Sequence, residues 1–547
     1  MARPPQITRE SLAPLIRARG PVSATELAAA LRVNRTTIAR TLPDFGEELV
    51  TLGATRSTRY LLRRGIRNIG NRWPLFRIGE DGRATEWAEL EALHERSWRV
   101  NWAVAAPEWA GIFMEENGLW NGFPFFLGDL RPQGFLGRLI AARISRLLLL
   151  PEDPRRWSDD DALVFLHSAG EDLPGNLVLG EDALRLALAG AADLPSGRVI
   201  REEDRETFYP TQAVEVSQNL PGSSAGGEQP KFLATLGTND GGFRPVLVKF
   251  TAPIEQQTGR RWADLLAGEF HAHEVLAEAG LAVAGARLLD AGGRRFLEIP
   301  RFDRRGAAGR LGVVSLEALS AASVGLARDW NSAAMELRQH GLIGEDSLAT
   351  VRRLQAFGEL IGNSDMHAGN LAFYLTDSMP LHITPSYDML PMLWAPGPQG
   401  EIVPRRFAPA PPVPSLLEPW CEAAAMAEEY WQRMTAWWKN WSNGLPTPDL
   451  SRFPDQDTAH WSPYTHLASW LQNDLDGLYQ DLNNFGLDVS ADLHGVVRYN
   501  QTYPYTTRDN QQVTIDHTQP KFANEFEFCR YYYWWRRKRG YSRTHMC

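Results

Sequence analysis

The chain has 547 residues, of which 44% are hydrophobic, which is enough for about three or four domains, each with its own core. Three cysteines, Cys421, Cys529 and Cys547, stand in no metal-ligand spacing; this excludes a disulfide scaffold and points to a reducing compartment. The longest leucine run, Leu147 to Leu150, is flanked by charge and far short of the ~18 apolar residues of a membrane span, and no secretory signal is evident, so the expected location is cytoplasmic, with no membrane partner.

The formal net charge of −9 hides an asymmetry. Residues 1–64 hold 11 Arg, no Lys and 5 acidic residues, a net of +6. That local excess is what phosphate binding needs. Within it, Ser23-Ala24-Thr25-Glu26 is a helix-start signal, and Leu27, Ala28 and Leu31 follow on one face. Arg32-Val33-Asn34 makes a turn, and Arg35 to Leu42 reads as a second helix. Val50 to Gly53 and Thr58 to Arg64 form the strands of a wing hairpin. The pattern predicts a winged helix-turn-helix over residues 1–65 that binds double-stranded DNA. Arg35, Thr36, Thr37 and Arg40 are the candidate groove contacts, and Arg56 and Arg59 the candidate wing contacts. A small helical interaction domain with a basic surface is the alternative.

Residues 66–205 read as a mixed α/β subdomain. Beyond them, Gly222 to Phe232 is a small-residue loop running into a strand, Phe232 to Leu236. Asn239-Asp240-Gly241-Gly242 makes a turn, and Pro245 to Phe250 is a second strand with Lys249 inside it. Strand, turn and strand with such a loop is how a kinase N-lobe covers phosphates; Gly226 and Gly227 let backbone N–H groups approach the oxygens. Of 57 basic residues only five are Lys. A Lys kept in a strand of an Arg-rich chain marks a need for a compact point charge, so Lys249, and after it Lys231, are candidate phosphate contacts. Arg261 to Gly280 reads as a helix in which Glu269, or its rival Glu274, would pair with Lys249. Arg295 to Arg304 is a strand leading into a hinge. Backbone groups from Ile299 to Phe302 would meet an adenine edge, with the Phe302 ring against the base.

A helical segment runs from Ser315, through a helix Leu348 to Leu360, to about residue 435. It carries Asp365 and Asn370 in the spacing Asp-x-x-x-x-Asn, followed by Asp388. That is the spacing of a kinase catalytic loop: Asp365 orients or deprotonates the attacking hydroxyl, while Asn370 and Asp388 hold Mg²⁺. His367, between them, braces the loop rather than doing chemistry. The segment 396–414 is either a substrate segment or a proline-rich surface connection, and Glu418 to Arg433 reads as a closing helix. From about residue 436 the composition shifts to Asn, Gln, Thr, Tyr and Trp, and residues 436–547 have no assigned role.

The ordered motifs Ser223-Ser224-Ala225-Gly226, Val248-Lys249-Phe250, Pro300-Arg301-Phe302-Asp303-Arg304, Gly362 to Asn370 and Tyr387-Asp388-Met389-Leu390-Pro391 together resemble the HipA family of serine/threonine kinases, toxins of bacterial type II toxin–antitoxin systems. Gly122 to Pro132 and Ala169 to Asn176 are similar to that family's N-terminal subdomain. The fused N-terminal unit resembles the YjjJ-like branch. Residues 225–231 depart from the best-known members, with Glu228-Gln229-Pro230-Lys231 in place of a Gln-Glu-Lys order.

The resemblance implies an α+β, two-lobed kinase-like fold: a subdomain at 66–205, an N-lobe at 206–302 and a C-lobe at 303–435. It implies ATP and Mg²⁺ as cofactors, Asp365 as the base, Asn370 and Asp388 as metal ligands and Lys249 as the ATP lysine. It also implies regulatory autophosphorylation at Ser223 or Ser224. The expected partners are double-stranded DNA, an unidentified protein substrate and a second copy in a homodimer. Two other readings remain open: a transcription regulator whose kinase-like body senses nucleotide, and a metal-dependent DNA-cleaving enzyme.

Overall fold

The computed structural model describes residues 7–115, 118–197, 199–218, 229–323, 325, 328–397, 399–403 and 416–441, with four short strand segments between 489 and 515. Helices Arg9–Arg19, Ala24–Leu31 and Arg35–Thr41 precede an antiparallel hairpin, Leu49–Leu52 with Arg59–Leu62. The second helix starts where the sequence signals it. Ser23 Oγ accepts from Glu26 N at 3.2 Å, and Glu26 Oε2 accepts from Ser23 N at 2.7 Å, so two orphan helix-start donors are satisfied reciprocally. Leu12, Ile16, Leu27, Ile38, Leu42, Phe45 and Leu62 fill the core of this unit.

The hairpin has a second apolar face. Val50, Leu52 and Leu61 pack against Leu93 and Leu119 of the next domain. Around that contact Arg63 donates to Glu91 at 2.7 Å and Arg64 to Asp160 at 2.6 Å, with the Arg64 guanidinium over the Trp98 ring. The N-terminal unit is therefore docked on its neighbour.

That neighbour is a five-stranded antiparallel sheet in the order Leu119–Asn121, Ser97–Trp102, Ala84–Ala92, Arg72–Ile78 and Leu177–Leu179. Its core is aromatic. Trp87, Trp102, Trp109, Phe125 and Phe126 meet largely edge to face, the closest pair being Trp87 and Trp102 at 4.7 Å. The same apolar core continues without a break into the C-terminal helical region, through Leu316, Leu348, Val351, Phe357 and Trp394.

A second five-stranded sheet follows, in the order Arg287–Ala291, Arg294–Pro300, Phe243–Phe250, Lys231–Gly237 and Val199–Arg201. Its pairs are antiparallel except the last, where Val199 lies opposite Thr235 in parallel, so the sheet takes its edge strand from ahead of residue 206. Helix Gln257–Glu278 packs on this sheet and begins four residues before the expected Arg261. Phe135 and Leu139, from the middle helix Gly134–Ile144, enter the sheet's core beside Tyr209, Phe232 and Phe250. One buried charge set lies there. Glu298 accepts from Arg205 Nε at 2.6 Å, Arg205 Nη2 at 3.0 Å and Tyr209 Oη at 2.6 Å.

The helical region contains Trp330–Gln339, Glu345–Leu360 and Leu417–Trp441, with strand Val313–Ser315 paired to Ala372–Tyr374. Among the described residues no helix is long and apolar enough to cross a membrane.

Leu93 is fully buried between the hairpin and the middle sheet. Leu93→Ala is expected to cost about 2–5 kcal/mol at that contact. The measurement is limited proteolysis, where the variant should be cut between residues 63 and 71 under conditions that leave the parent intact. An unchanged digestion pattern would show that the apolar contact does not hold the N-terminal unit in place.

Candidate active site

The loop carrying Asp365 begins where helix Glu345–Leu360 ends. Gly362, at φ 76°, turns the chain out of the helix, and Asn363 N donates to Gly358 O at 2.8 Å. Gly358 has a steric reason to be glycine: a Cβ there would stand 2.3 Å from Met366 Sδ. The loop is then closed by its own polar groups. Asp365 N donates to Asn363 Oδ1 at 3.0 Å, and Asn370 Nδ2 donates to Asp365 O at 2.9 Å. His367 Nδ1 accepts from Gly369 N at 3.1 Å, and its carbonyl accepts from Trp330 Nε1 at 2.9 Å. His367 thus braces the loop in the way its position suggests. Asp365 itself is exposed.

Asp388 lies across from this loop with φ at 54°, a left-handed conformation uncommon outside glycine and often found at functional sites. Its neighbour Tyr387 donates to Gly369 O at 2.9 Å, which ties the two segments together. The Lys249 ammonium reaches both Glu269 Oε1, at 2.5 Å, and Asp388 Oδ1. Glu274 instead pairs with His271, so the choice between the two glutamates falls to Glu269.

One buried ammonium is shared by two carboxylates. Burial alone would pull the Lys249 pKa down, but Asp388 and Glu269 reverse that and hold its proton firmly. Burial pushes the Glu269 carboxyl up against the pull of Lys249. Asp388 goes the other way: Lys249, Lys231 and its hydrogen bond overcome its burial and hold it well below the usual carboxylate range. Asp388 therefore keeps the negative charge that a divalent cation requires.

Lys231 stands directly opposite Lys249 across the strand pair, on the same face of the sheet. The exit of the small-residue loop is anchored to the same strand, since Gln229 Nε2 donates to Phe250 O and Phe250 N donates to Pro230 O at 2.9 Å. Ser223, Ser224, Gly226 and Gly227 lie outside the described residues. Phe302 packs within an aromatic set of the chain's own. It stacks on Tyr387 at 5.8 Å and 27° and meets the edge of Tyr374 at 6.4 Å.

The donor set suits a hard cation. Asp388 and Asp365 offer carboxylate oxygens. Asn370 spends its Nδ2 on the loop, which leaves its Oδ1 as the atom that could meet a cation. Among the described residues no cluster of three or more His, Cys, Asp or Glu forms a closed metal cage. Two carboxylates and an amide fit instead a Mg²⁺ that arrives with phosphate and water ligands of its own.

The charge network behind the hinge joins two motifs of the family resemblance, Ala169 to Asn176 and Pro300 to Arg304, whose pairing had no sequence signal. Asp303 accepts from Arg301 at 2.9 Å, Arg304 at 2.6 Å and Gly175 N at 2.9 Å, while Arg304 also reaches Asp172 and the carbonyls of Leu173 and Gly175. The two guanidiniums overcome burial and hold Asp303 far below the usual carboxylate range. Arg301 N donates to Pro245 O at 3.0 Å, so the network fixes the turn that carries Phe302. These partners come from Asp172 to Gly175, more than a hundred residues upstream, a pairing that no local pattern reveals.

In the N-terminal unit Arg35, Thr36 and Arg40 are exposed on one short helix, and Thr37 is half-buried. Arg59 is paired with Glu26, the same carboxylate that caps the preceding helix. Backbone and side-chain donors of Ser23, with Arg59, bring Glu26 down to about 2. The Arg56 side chain lies outside the described residues.

Residues 69–188 match the middle domain of YjjJ-like toxins, and residues 223–438 match the HipA-like C-terminal domain. The chain is 34% identical over 418 residues to Toxin YjjJ of Escherichia coli (strain K12), covering 76% of this chain and 90% of that protein. The chain belongs to the YjjJ-like toxins of the HipA family. Among solved structures it is similar to HipA of Shewanella oneidensis MR-1, seen with HipB and operator DNA, at TM-score 0.41 and 16% identity over 72% of this chain and 95% of that one. It is also similar to the Helicobacter pylori proinflammatory kinase CtkA, at TM-score 0.28 and 12% identity over 43% of this chain and 88% of that one.

Removing the shared ammonium leaves Glu269 buried without a counter-charge. Lys249→Met is expected to lower stability by about 3–5 kcal/mol, and adding Glu269→Met should recover much of the loss. Thermal unfolding of both single variants and the double variant checks this. A double variant as unstable as the sum of the singles would mean that the pair is not coupled.

Proposed function

We propose that this YjjJ-like toxin is an ATP- and Mg²⁺-dependent serine/threonine protein kinase that binds double-stranded DNA through its N-terminal unit and serves in growth control. The observation that carries the reading is the Lys249 ammonium held between Glu269 and Asp388, opposite a loop closed by Asn370 around Asp365. A protein that only sensed nucleotide would have no chemical need for the exposed Asp365 as well.

Phosphoryl transfer asks little covalent chemistry of a protein and much positioning. The Asp365 carboxylate orients the substrate hydroxyl and accepts its proton as that oxygen bonds to the γ-phosphorus. The bond from that phosphorus to the bridging oxygen breaks, and ADP leaves with the electron pair. Lys249 supports the α- and β-phosphates, with Lys231 on the same face of the sheet. Bound Mg²⁺ would supply neutralisation of the phosphate charge, and Asn370 and Asp388 are the residues to hold it. Glu269 keeps Lys249 aimed. Phe302, backed by Tyr387, lies on the adenine side of the hinge, and the small-residue loop with Gly226 and Gly227 covers the phosphates. Ser223 or Ser224 is the proposed self-phosphorylation site. The cytoplasm is the compartment in which such a protein would meet ATP, DNA and its protein substrate.

The test is incubation with Mg²⁺ and γ-labelled ATP followed by phosphosite mapping. Asp365→Ala is expected to keep nucleotide affinity and lose about 10²–10⁴-fold in transfer. Asp388→Ala should weaken Mg²⁺-dependent nucleotide binding as well. Transfer by Asp365→Ala at the parent rate would remove Asp365 from the role of base.

The exposed helix bearing Arg35, Thr36 and Arg40 supports the DNA-binding part of the reading. Arg35→Ala and Arg40→Ala should each weaken duplex binding and lower the salt slope of log K by about 1 for each phosphate no longer neutralised. Arg59→Ala should do less, because its charge is already partnered by Glu26. A salt slope unchanged in all three variants would turn the basic surface into something other than a DNA site.

A further inference from the structure

One carboxylate behind the loop that carries Asp365 comes from neither the second sheet nor the helical region. Asp129 follows the short helix Phe125–Gly128, whose Phe125, Phe126 and Leu127 are buried in the aromatic core of the middle domain. Its amide donates to Phe125 O at 2.9 Å, so its place is set by that core. From there Asp129 Oδ2 accepts from Ser315 N at 2.7 Å, and Oδ1 accepts from the Ser315 hydroxyl.

Ser315 connects directly to the loop. It pairs with Ala372 across the two-stranded sheet, two residues past Asn370. The next residue, Leu316, donates its amide to Leu371 O at 2.7 Å. Ser315 Oγ also accepts from Ala318 N at 3.1 Å and so caps helix Leu316–Ser323. That helix presents Glu317 to the loop: a Cβ on Gly369 would stand 3.1 Å from Glu317 Oε2. On the other side, Tyr387 holds the Gly369 carbonyl. The segment Gly369 to Leu371, with Asn370 at its centre, is thus gripped by Tyr387 and by the Ser315–Leu316 step, and that step is fixed by Asp129. Desolvation, with the Glu317 charge beside it, pushes the Asp129 carboxyl above the usual carboxylate range, and the two Ser315 donors offset only part of that. A half-buried carboxylate with both oxygens used, reaching across a domain boundary, is more than the capping of one helix needs.

We propose that Asp129 of the middle domain is a positioning residue of the transfer site, fixing through Ser315 and Leu316 the far end of the catalytic loop and hence the orientation of Asn370. The effect on transfer rests on the kinase reading; the hold on the loop does not.

Two readouts on the full chain separate these. The first is hydrogen exchange of peptides covering residues 363–374. Asp129→Ala should raise exchange there by on the order of tenfold, with the middle-domain sheet unaffected. The second is the Mg²⁺ concentration giving half-maximal phosphoryl transfer, expected to rise roughly three- to tenfold, while nucleotide affinity without Mg²⁺ stays within about twofold. Asp129→Asn should restore both, because its amide oxygen still accepts from Ser315 N. Ser315→Ala, which loses only a hydroxyl, should shift the same way to a smaller extent and serves if Asp129→Ala fails to fold.

Unchanged exchange in 363–374 would overturn the proposal. So would reduced transfer at an unchanged Mg²⁺ half-point, because that is what a smaller folded fraction produces. If the parent protein transfers no phosphate, the kinase reading falls, and the exchange result alone decides whether Asp129 holds the loop.

Discussion

The arrangement depends on one buried ammonium with two carboxylates around it. Lys249 is 2% exposed and Glu269 is 2% exposed, and a charge so deep is tolerable only when paired. The pairing dictates much else. It fixes the rotation of helix Gln257–Glu278, because Glu269 must face the sheet. Opposite Lys249, Lys231 adds a second positive charge that acts on both carboxylates. The pairing also draws in Asp388, whose backbone adopts a left-handed conformation. Such strain persists only where the surroundings over-determine it. Here they do so from three directions: the Lys249 contact, the Tyr387 bond to Gly369, and the contact of Met389 with Asn363.

The middle domain is part of the same machine rather than an appendage. Its aromatic core runs into the helical region, and its helix Gly134–Ile144 sends Phe135 and Leu139 into the second sheet. Its polar contacts are as pointed. Asp172, Leu173 and Gly175 grip Arg304 and Asp303 behind the hinge, and Asp129 grips Ser315 behind the catalytic loop. In the hinge network two guanidiniums face Asp303, and Asp172 with the carbonyls of Leu173 and Gly175 takes further N–H groups. A buried charge cluster of this kind adds less to stability than an apolar core of equal volume would. What it adds is a unique geometry for the turn that carries Phe302.

The sequence made the local parts legible and left the long-range ones dark. Helix starts came from side-chain chemistry that acts within four residues, as at Ser23 and Glu26, and the structure has them there. The strand pair around Asn239 to Gly242 followed from turn residues with a physical preference for that turn. Lys249 stood out because the chain otherwise writes its positive charge as Arg. The Glu269 and Glu274 alternatives lay on one helix less than two turns apart, and only tertiary packing could choose between them. Asp129 and Asp172 lie in the segments Gly122 to Pro132 and Ala169 to Asn176 that carry the family resemblance, yet their partners were not legible, and Trp330 gave no signal, because a contact more than a hundred positions away, or with a backbone carbonyl, has no local pattern to betray it. Phe302 illustrates a further limit. The aromatic beside the hinge has the Tyr387 ring, 85 positions on, stacked on it, a contact with no local pattern.

The N-terminal unit poses the converse problem, since its composition pointed to a surface while the structure adds a restraint. A hairpin with one free apolar face would ordinarily move with its own small core. Here that face is covered by Leu93 and Leu119, and the flanking arginines are spent on Glu91 and Asp160. Of the remaining positive charge, Arg35 and Arg40 stand exposed on the helix Arg35–Thr41, while Arg59 on the hairpin is already held by Glu26. Anything bound at that helix is bound by the whole assembly down to the middle sheet. Binding there can bias the catalytic loop only if the middle domain has two arrangements that differ at Asp129 and Asp172. Those two carboxylates are the contacts through which such a difference would have to pass.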